Sequence, residues 1–276
     1  MKDYVMQAHY SVLVIDSGIG GMSIVKAIRE LDRDISVTYI SDDDFFPYGG
    51  MSEHKLINRL HSLVDQALQN FTPDAVIIAC NTASTIALTH LRKSFSIPFV
   101  GVVPPIKTAS EVSQSRVIGL LATEGTVRRN YIDNLINDFA PDCRVIRVGS
   151  RHLAAEAENK VRGRGVDRNN IRAALEPFAT QDCSKLDVIV LGCTHYPHLH
   201  DELKEEFTSD VLWLDPALPV AQQLLHVLDT KTDRAANTST QPKANIVYFT
   251  KKQPRQEDIS PFLNDLGFST VAHLSA

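Results

Sequence analysis

The sequence contains no apolar stretch of about 18 residues, the length that a helix needs to span a bilayer. Near its start, the apolar run that begins at Val12 ends at Asp16, which is too short for the hydrophobic region of a signal peptide. Four cysteines in 276 residues are too few for a disulfide scaffold. We therefore expect a cytoplasmic protein with reduced thiols and no membrane partner, in which each cysteine serves packing, metal binding or reactivity.

The sequence also has fewer positively than negatively charged residues. The chain has 28 Lys and Arg against 33 Asp and Glu, a formal net charge of −5. A protein that follows a nucleic-acid backbone needs a basic face, so this balance predicts no nucleic-acid partner. The apolar fraction of 43% and the charged fraction of 22% are typical of a folded globular protein. At about 150 residues per domain, the length fits two compact domains or one large one.

Apolar runs rich in β-branched residues alternate with amphipathic helical patterns. The predicted strands are Val12–Asp16, Val37–Ile40, Asp74–Ala79, Phe99–Val103, Val117–Leu121, Val145–Val148, Asp187–Leu191 and Asn245–Thr250. The predicted helices are Met22–Leu31, Ser52–Asn70, Thr82–Ser94, Val127–Phe139, Ala154–Lys160, a helix that follows Trp213–Pro216 and reaches about Asp229, and Ile259–Leu266. This alternation predicts an α/β fold with parallel, helix-covered sheets. The polar stretch Thr230–Lys243 is expected to be an exposed linker or loop.

One strand–turn–helix pattern occurs twice with related sequences. DAVIIACNTAS at 74–84 matches DVIVLGCTHYP at 187–197, and the match aligns Cys80 with Cys193. The similarity predicts two pseudo-symmetric α/β domains, each a mainly parallel sheet flanked by helices, with the active site in the cleft between them. The predicted division places residues 1–103 and 216–276 in the first domain and residues 104–215 in the second.

Cys80 and Cys193 each follow a strand, at the sheet edge where α/β proteins bind ligands. Each also precedes a predicted helix start, whose macrodipole favours the thiolate and lowers the thiol pKa. Two opposed thiols suit proton transfer at both faces of one carbon, because one thiolate removes a proton while the opposite thiol delivers another. That chemistry needs preorganised donors that stabilise a carbanionic transition state. The motifs supply Ser17, Asn81, Thr82, Thr126 and Thr194.

Two further side chains extend this hypothesis. Asp16 is a candidate to accept a substrate ammonium group or to assist Cys80 as a base, although a turn-capping role fits its spacing equally well. His195 is a candidate proton relay for Cys193.

Two alternative sites share these residues. Gly18-Ile19-Gly20 follows a strand, and Asp42 lies at the distance of a ribose-binding acid, as in dinucleotide sites, but Ser23 replaces the third glycine. A zinc site is the second alternative, although the spacing of its last two ligands at a helix start is unfavourable. Its ligands would be Cys193, His195, His198 and His200.

Four motifs together resemble the glutamate racemase family: Asp16-Ser17-Gly18-Ile19-Gly20-Gly21, Phe46-Pro47-Tyr48-Gly49, Cys80-Asn81-Thr82-Ala83-Ser84 and Gly192-Cys193-Thr194-His195-Tyr196-Pro197. Their order and spacing match the family, and the similarity extends over about residues 12–270. The resemblance implies a racemase without cofactor or metal that supplies D-glutamate for peptidoglycan synthesis. It implies that Cys80 and Cys193 are the acid/base residues, assisted by Asp16, His195 and Glu158. The glutamate-binding residues that it implies are Asp16, Ser17, Tyr48, Gly49, Asn81, Thr82, Thr194 and His195, to which the donor argument adds Thr126.

Several choices stay open at this stage. Glu156, two residues from Glu158, is the alternative assisting carboxylate. The segment Val103-Pro104-Pro105-Ile106-Lys107 is similar to a branch in which some members need a peptidoglycan-precursor activator, so such an activator is a candidate partner, as is a second copy of the chain in a homodimer. Aspartate or a hydantoin is the alternative substrate. A non-catalytic binding protein, for example an inhibitor of a topoisomerase, is the alternative from a different functional class.

Overall fold

The computed structural model describes residues 10–32, 34–179, 183–230, 245–252 and 259–275. The predicted linker therefore lies outside the described residues, except for Thr230. Within the described ranges the chain forms ten strands: β1 Ser11–Asp16, β2 Ser36–Ser41, β3 Ala75–Ile78, β4 Phe99–Gly101, β5 Val117–Thr123, β6 Arg144–Ser150, β7 Val188–Leu191, β8 Leu212–Leu214, β9 Ile246–Phe249 and β10 Thr270–His273. The same ranges contain eleven α-helices: α1 Met22–Leu31, α2 Glu53–Asn70, α3 Asn81–Ser94, α4 Ile106–Val112, α5 Glu124–Val127, α6 Asn130–Phe139, α7 Leu153–Val161, α8 Arg168–Leu175, α9 His200–Glu206, α10 Ala217–Asp229 and α11 Ser260–Asp265.

The strands form two parallel sheets with the same internal order. The first sheet runs β10-β9-β2-β1-β3-β4 and the second runs β6-β5-β7-β8. The order β2-β1-β3-β4 therefore repeats as β6-β5-β7-β8, which is the duplication that the sequence indicated. Every pair of neighbouring strands is parallel. The predicted α/β class with two mainly parallel, helix-flanked sheets is confirmed, whereas the residue-level division into domains stays a prediction.

Burial on both faces explains why the strands are continuously apolar. Along β1, Val12 and Val14 pack into the cluster that contains residues of α1 and α10, while Leu13 and Ile15 pack into the cluster formed with α2 and α3. A strand covered by helices on both sides has no solvent-facing positions, so its sequence lacks the polar alternation of a half-exposed strand. Among the described residues, no helix is both long and apolar enough to cross a membrane.

The predicted helix over Val127–Phe139 is wrong in its extent, because two helices occupy this region. The Oγ1 atom of Thr123 accepts a hydrogen bond from the backbone N–H of Thr126 at 3.2 Å and so caps the short helix α5. The chain then leaves the helical conformation at Arg129, before α6 begins at the next residue. The prediction also omitted five short elements, which give no clear periodic signal, namely α4, α8, α9, β8 and β10.

Parallel strands place all their carboxyl ends at one edge of a sheet, and this arrangement positions the candidate site. In the first sheet, Asp16 ends β1 and Cys80 follows β3. In the second sheet, Thr123 ends β5 and Cys193 follows β7. The two sheets present these edges to each other.

Candidate active site

A narrow cavity with a volume of about 20 Å³ lies where the two sheet edges meet. Residues of both sheets line it, and most of them were predicted from the sequence. The predicted residues that line the cavity are Ser17, Tyr48, Gly49, Cys80, Asn81, Thr82, Cys193 and His195. The structure therefore brings the two cysteines of the duplicated turns to one cavity.

Cys80 occupies the N-cap position of α3, and its side chain is buried. Burial raises the pKa of the Cys80 thiol well above its ordinary value, and the negative charge of Asp16 raises it further. Hydrogen bonds from the backbone N–H groups of Ala83 and Thr82 oppose this shift but do not overcome it. The expected lowering by the helix N-terminus is therefore wrong for Cys80, because desolvation of the thiolate outweighs the macrodipole.

Asp16 is fully buried and joins the two halves of the site. Its carboxylate accepts hydrogen bonds from the Ser17 hydroxyl at 3.1 Å and from the Thr194 hydroxyl at 3.0 Å. Burial raises the pKa of Asp16, while the charge of His195 and the hydrogen bonds from Thr194 and Ser17 pull it down. A carboxylate with a raised pKa is a better proton acceptor than a free aspartate, so Asp16 fits the role of a base partner as well as that of a turn residue.

Cys193 lies at the start of a line of hydrogen-bonded side chains. Its Sγ atom is 3.9 Å from Nδ1 of His195, and Nε2 of His195 is 3.1 Å from Oε1 of Glu158. Burial lowers the pKa of His195, but the hydrogen bonds to Cys193 and Glu158 outweigh burial and raise that pKa well above its ordinary value. His195 is thus a charged or readily charged partner within reach of the second thiol.

Glu158, and not Glu156, is the carboxylate at this site. Glu158 also accepts a hydrogen bond from the backbone N–H of Ile19 at 2.8 Å, so it ties the second sheet to the first. Burial acts to raise the pKa of Glu158, but the hydrogen bond from His195, the charges of His195 and Arg162, and the Ile19 N–H lower it to about 2. Glu156 instead accepts hydrogen bonds from Asp167 N and Asn170 Nδ2, which stabilise the start of α8.

The amide side chain of Asn81 is the most informative polar group in the cavity. Asn81 is buried, and within the described part of the chain neither its Nδ2 nor its Oδ1 atom has a hydrogen-bond partner. Buried polar groups in folded proteins are nearly always paired, so an unpaired amide that lines a cavity points to a ligand. Thr82 lines the cavity beside it, and its hydroxyl lies 3.2 Å from that of Thr126. Thr126 is fully buried one layer further back, against Thr123.

The loop that carries Tyr48 and Gly49 is held by an ion pair that the sequence analysis missed. Tyr48 donates a hydrogen bond to Asp42 at 2.7 Å, and Arg59 Nε donates to the same carboxylate at 2.9 Å. Burial and the charge of Asp42 raise the pKa of Tyr48 well above its ordinary value, so the phenol stays neutral and donating. Gly49 lies against Thr123, where an added Cβ would come within 3.2 Å of the Thr123 hydroxyl.

The glycine run that suggested a dinucleotide site serves a different purpose. A Cβ on Gly18 would lie 2.1 Å from Oε1 of Glu158, and a Cβ on Gly20 would lie 2.3 Å from Nδ1 of His195. The absence of side chains therefore lets the two sheets approach at the site. Asp42, the candidate ribose-binding acid, is occupied by the Tyr48 and Arg59 contacts described above.

The zinc alternative finds no geometric support. His198 is directed to the carbonyl oxygen of Gly20 at 3.2 Å, and His200 is partly exposed beside Asp201. Burial lowers the pKa of His198 to about 4, helped by the nearby charge of His195. Across the residues that the structure describes, no group of three or more His, Cys, Asp or Glu side chains is arranged to hold a metal ion.

Three residues of the site carried no role in the sequence analysis. Phe46 lines the cavity and its ring centroid lies 5.3 Å from that of His195. Thr123 lines the cavity from the end of β5. Arg162 binds Glu158, and here a signal was present, because residues four apart on a helix are neighbours.

Comparison with known proteins agrees with this geometry. The sequence model of the Asp/Glu/hydantoin racemase family matches residues 22–224. The glutamate racemase of Shewanella sp. (strain MR-4) is 40% identical over 265 residues, which cover 96% of each chain. The glutamate racemase of Haemophilus influenzae (strain PittGG) is 38% identical over 261 residues, or 95% of each chain. The crystal structure of Escherichia coli glutamate racemase in complex with L-glutamate and the activator UDP-MurNAc-Ala is similar with a TM-score of 0.89 and 35% identity, covering 96% of this chain and 98% of that one.

Proposed function

Because the chain belongs to the Asp/Glu/hydantoin racemase family, we propose that it interconverts L-glutamate and D-glutamate through two thiols, those of Cys80 and Cys193, which act on opposite faces of the α-carbon. The observation that carries the proposal is that both thiols, from equivalent turns of two similarly ordered sheets, line one cavity. The similarity to proteins named glutamate racemase along 95–96% of the chain supports glutamate as the substrate.

In the proposed reaction, one cysteine thiolate removes the α-proton and the opposite thiol delivers a proton to the other face. The electron pair of the broken C–H bond resides transiently on the α-carbon and its carboxylate, and it forms the new C–H bond on the opposite face. After the reaction the first cysteine is a thiol and the second is a thiolate, and the reverse turnover or proton exchange with solvent restores the starting state. No net oxidation or reduction takes place, so the acid/base groups of the chain are sufficient for the chemistry.

Each thiol has its own assisting group in this scheme. Cys80 is a neutral thiol at rest because its pKa is raised, and Asp16 is the group that accepts its proton before it acts as a base. Cys193 exchanges its proton with Nδ1 of His195, which Glu158 orients from the other side of the ring. The two assisting groups differ, one a buried carboxyl and the other an imidazole, although the cysteines themselves occupy equivalent positions.

We assign substrate binding mainly to neutral donors. Among the described residues that line the cavity there is no Lys or Arg. The unpaired amide of Asn81, the Thr82 hydroxyl and the backbone N–H groups at the start of α3 are suited to a carboxylate. Ser17 and the Tyr48–Gly49 loop close the cavity from the first sheet, and Thr194 supports Asp16. Neutral donors stabilise the growing negative charge of the transition state without neutralising the groups that carry the protons.

The test is optical. The purified protein is incubated with L-glutamate in D₂O without added cofactor, circular dichroism follows the loss of optical activity, and NMR follows deuterium at the α-position. We expect the signal to decay to zero with deuterium incorporation, and no comparable change with L-aspartate. Racemisation of aspartate instead would establish the alternative substrate. No optical change with either acid would contradict a racemase and leave a binding protein.

We further propose that D-glutamate from this enzyme supplies peptidoglycan synthesis and that a UDP-linked peptidoglycan precursor activates the enzyme. The similar Escherichia coli structure contains UDP-MurNAc-Ala, described there as an activator. In this chain the Val103–Lys107 segment leads from β4 of the first sheet into α4, on the connection to the second sheet. Racemisation rates measured with and without UDP-MurNAc-L-Ala test this point, and equal rates would show that the enzyme is independent of the activator.

A further inference from the structure

We infer that Arg162 is a positioning residue for one half of the proposed racemisation, the half in which Cys193 takes or gives the proton. The inference rests on the proposed function. Arg162 acts through Glu158 and His195, and it is the outermost member of a line of four side chains that ends at Cys193.

The line is continuous in hydrogen-bond contacts. Arg162 donates to Oε2 of Glu158 from Nε at 3.2 Å and from Nη2 at 3.1 Å. The other oxygen of Glu158, Oε1, faces Nε2 of His195 at 3.1 Å and also accepts the backbone N–H of Ile19. Nδ1 of His195 then faces Sγ of Cys193 at 3.9 Å. Each oxygen of Glu158 therefore has a separate task, since one holds the guanidinium and the other holds the imidazole.

Because Arg162 and Glu158 are both largely buried, the charge of Arg162 acts strongly on the carboxylate of Glu158. The side chain of Arg162 is only 7% exposed and that of Glu158 only 13% exposed, and the guanidinium also lies 5.9 Å from the ring centroid of Phe249. A carboxylate in such surroundings stays ionised only if it is paired, and an arginine is always charged and offers a rigid fork of donors. Together with His195 and the Ile19 N–H, Arg162 keeps Glu158 ionised, and its two hydrogen bonds hold the acceptor-only carboxylate in a fixed orientation.

The orientation of Glu158 determines which nitrogen of His195 serves Cys193. An ionised carboxylate accepts but does not donate, so Nε2 of His195 carries a proton whenever this contact is made. Nδ1 is then the atom that exchanges a proton with the thiol. Without Arg162, Oε2 of Glu158 loses its partner and the carboxylate can turn, so Nε2 loses its fixed partner and the wrong tautomer of His195 competes.

This support is confined to one of the two thiols. Beside Cys80, the assisting carboxyl group of Asp16 is hydrogen-bonded to neutral donors, namely the Ser17 hydroxyl, the Gly18 N–H and the Thr194 hydroxyl. Replacing Arg162 therefore slows proton transfer at Cys193 much more than proton transfer at Cys80, whose assisting group Asp16 is affected only through the charge of His195. A general loss of folding would affect both transfers alike, which gives the inference a distinctive signature.

The first experiment compares Arg162→Met with Arg162→Lys, and uses Arg172→Met as the matched control. Arg172 pairs with Glu206 on the surface, where its side chain is 60% exposed. We expect kcat/KM of Arg162→Met to fall by about 10- to 100-fold in both directions, a loss typical of a misplaced catalytic group. Because enantiomers have equal free energy, kcat/KM changes equally in the two directions, so the asymmetry must be measured in another way. Arg162→Lys keeps the charge without the fork and is expected to recover part of the activity, while Arg172→Met keeps it all.

The asymmetry is measured with substrates deuterated at the α-carbon. In Arg162→Met the primary isotope effect on kcat/KM should rise for the enantiomer deprotonated by Cys193 and fall for the other, because the step at Cys193 becomes more strongly rate-limiting. Isotope effects that stay at their wild-type values for both enantiomers would overturn the inference. If the wild-type protein does not racemise glutamate at all, the proposed function fails and the inference fails with it.

A double-variant cycle tests whether Arg162 acts through Glu158. In the background Glu158→Gln, which removes the charge that Arg162 pairs with, Arg162→Met should cause little further loss. The double variant should also fold if the single variant Arg162→Met, which leaves the largely buried Glu158 without its guanidinium partner, does not. Equal losses in the two backgrounds would overturn the inference. Nitrogen-15 NMR of the His195 ring, recorded as the ring loses its proton with rising pH, provides a readout that needs no turnover: the neutral ring keeps the proton on Nε2 in the wild type and is a mixture of tautomers in Arg162→Met.

Discussion

Replacing Asn81 with alanine is predicted to make the protein more stable and, at the same time, a much poorer enzyme. In the structure both side-chain polar atoms of Asn81 are buried and have no partner among the described residues. The folded protein therefore carries the desolvation cost of an amide that no other described group of the chain pairs. Alanine at this position removes that cost together with the contact that we assign to the substrate carboxylate.

The magnitudes follow from the burial of the amide. An unpaired buried polar group costs about 1–3 kcal/mol, and alanine is also the better helix former at this first position of α3. Lost packing of the deleted atoms offsets part of the gain, at about 0.8 kcal/mol per buried carbon-sized group. We therefore expect a net stabilisation of about 1 kcal/mol, or a rise in Tm of about 2–4 °C for a chain of this size. A hydrogen bond to a charged group contributes about 1.5–3 kcal/mol, so kcat/KM should fall by about 10- to 150-fold.

The assay combines thermal unfolding, with and without D-glutamate, and kcat/KM measured by circular dichroism. The wild type should gain Tm from the ligand, while Asn81→Ala should start higher and gain less. Asn70→Ala serves as the control, because Asn70 is exposed at the end of α2 and donates to the Gln66 carbonyl oxygen. A variant less stable than the wild type that keeps its kcat/KM would refute the assignment of Asn81 to the substrate.

Four further variants test other parts of the site. Alanine at Cys80 or at Cys193 should each abolish detectable racemisation, a loss of at least about 10²–10⁴-fold, and a single variant with unchanged turnover in the circular dichroism assay would remove that thiol from the mechanism. Alanine at Gly125 places a Cβ 2.6 Å from the carbonyl oxygen of Gly49, so kcat/KM should fall by about 10²-fold with an unaltered far-ultraviolet spectrum. Full activity would show that the backbone at Gly125 and Gly49 can move apart without disturbing the site. The pKa of Glu158 is depressed to about 2 in the folded protein, so its stabilisation of about 3 kcal/mol is present above its unfolded pKa near 4.5 and is lost as pH falls towards 2. Urea unfolding between pH 5 and 3 should accordingly be less pH-dependent in Glu158→Gln than in the wild type, and equal slopes would contradict the shift.

Local sequence patterns predicted much of the fold and many of the site residues. Continuous apolar runs such as Val12–Asp16 predict strands buried on both faces, because a strand between two helix layers has no polar positions. The recurrence of a cysteine after a strand in two similar runs predicted that both cysteines belong to one site. Both patterns are periodic or repeated, so they are readable without knowing which segments meet in space.

The sequence could not resolve features that depend on the direction in which a side chain projects. Glu156 and Glu158 lie on one helix two residues apart and so project to nearly opposite sides, and spacing does not say which side faces the site. The expected lowering of the pKa of Cys80 failed for a related reason. The helix start is visible in the sequence, whereas the degree of burial and the nearby charge of Asp16 arise only when separate segments pack together.

The sequence by itself determined the two similarly ordered α/β halves, the positions of the two thiols and the polar residues that follow them, since all of these depend on neighbours along the chain. Only the tertiary structure decided how the halves meet: Glu158 accepts the Ile19 N–H, and Thr194 donates to Asp16. Each of these contacts joins residues whose sequence patterns are individually ordinary. Their chemistry arises from exclusion of water and from the charges brought beside them, and both are properties of the packed molecule.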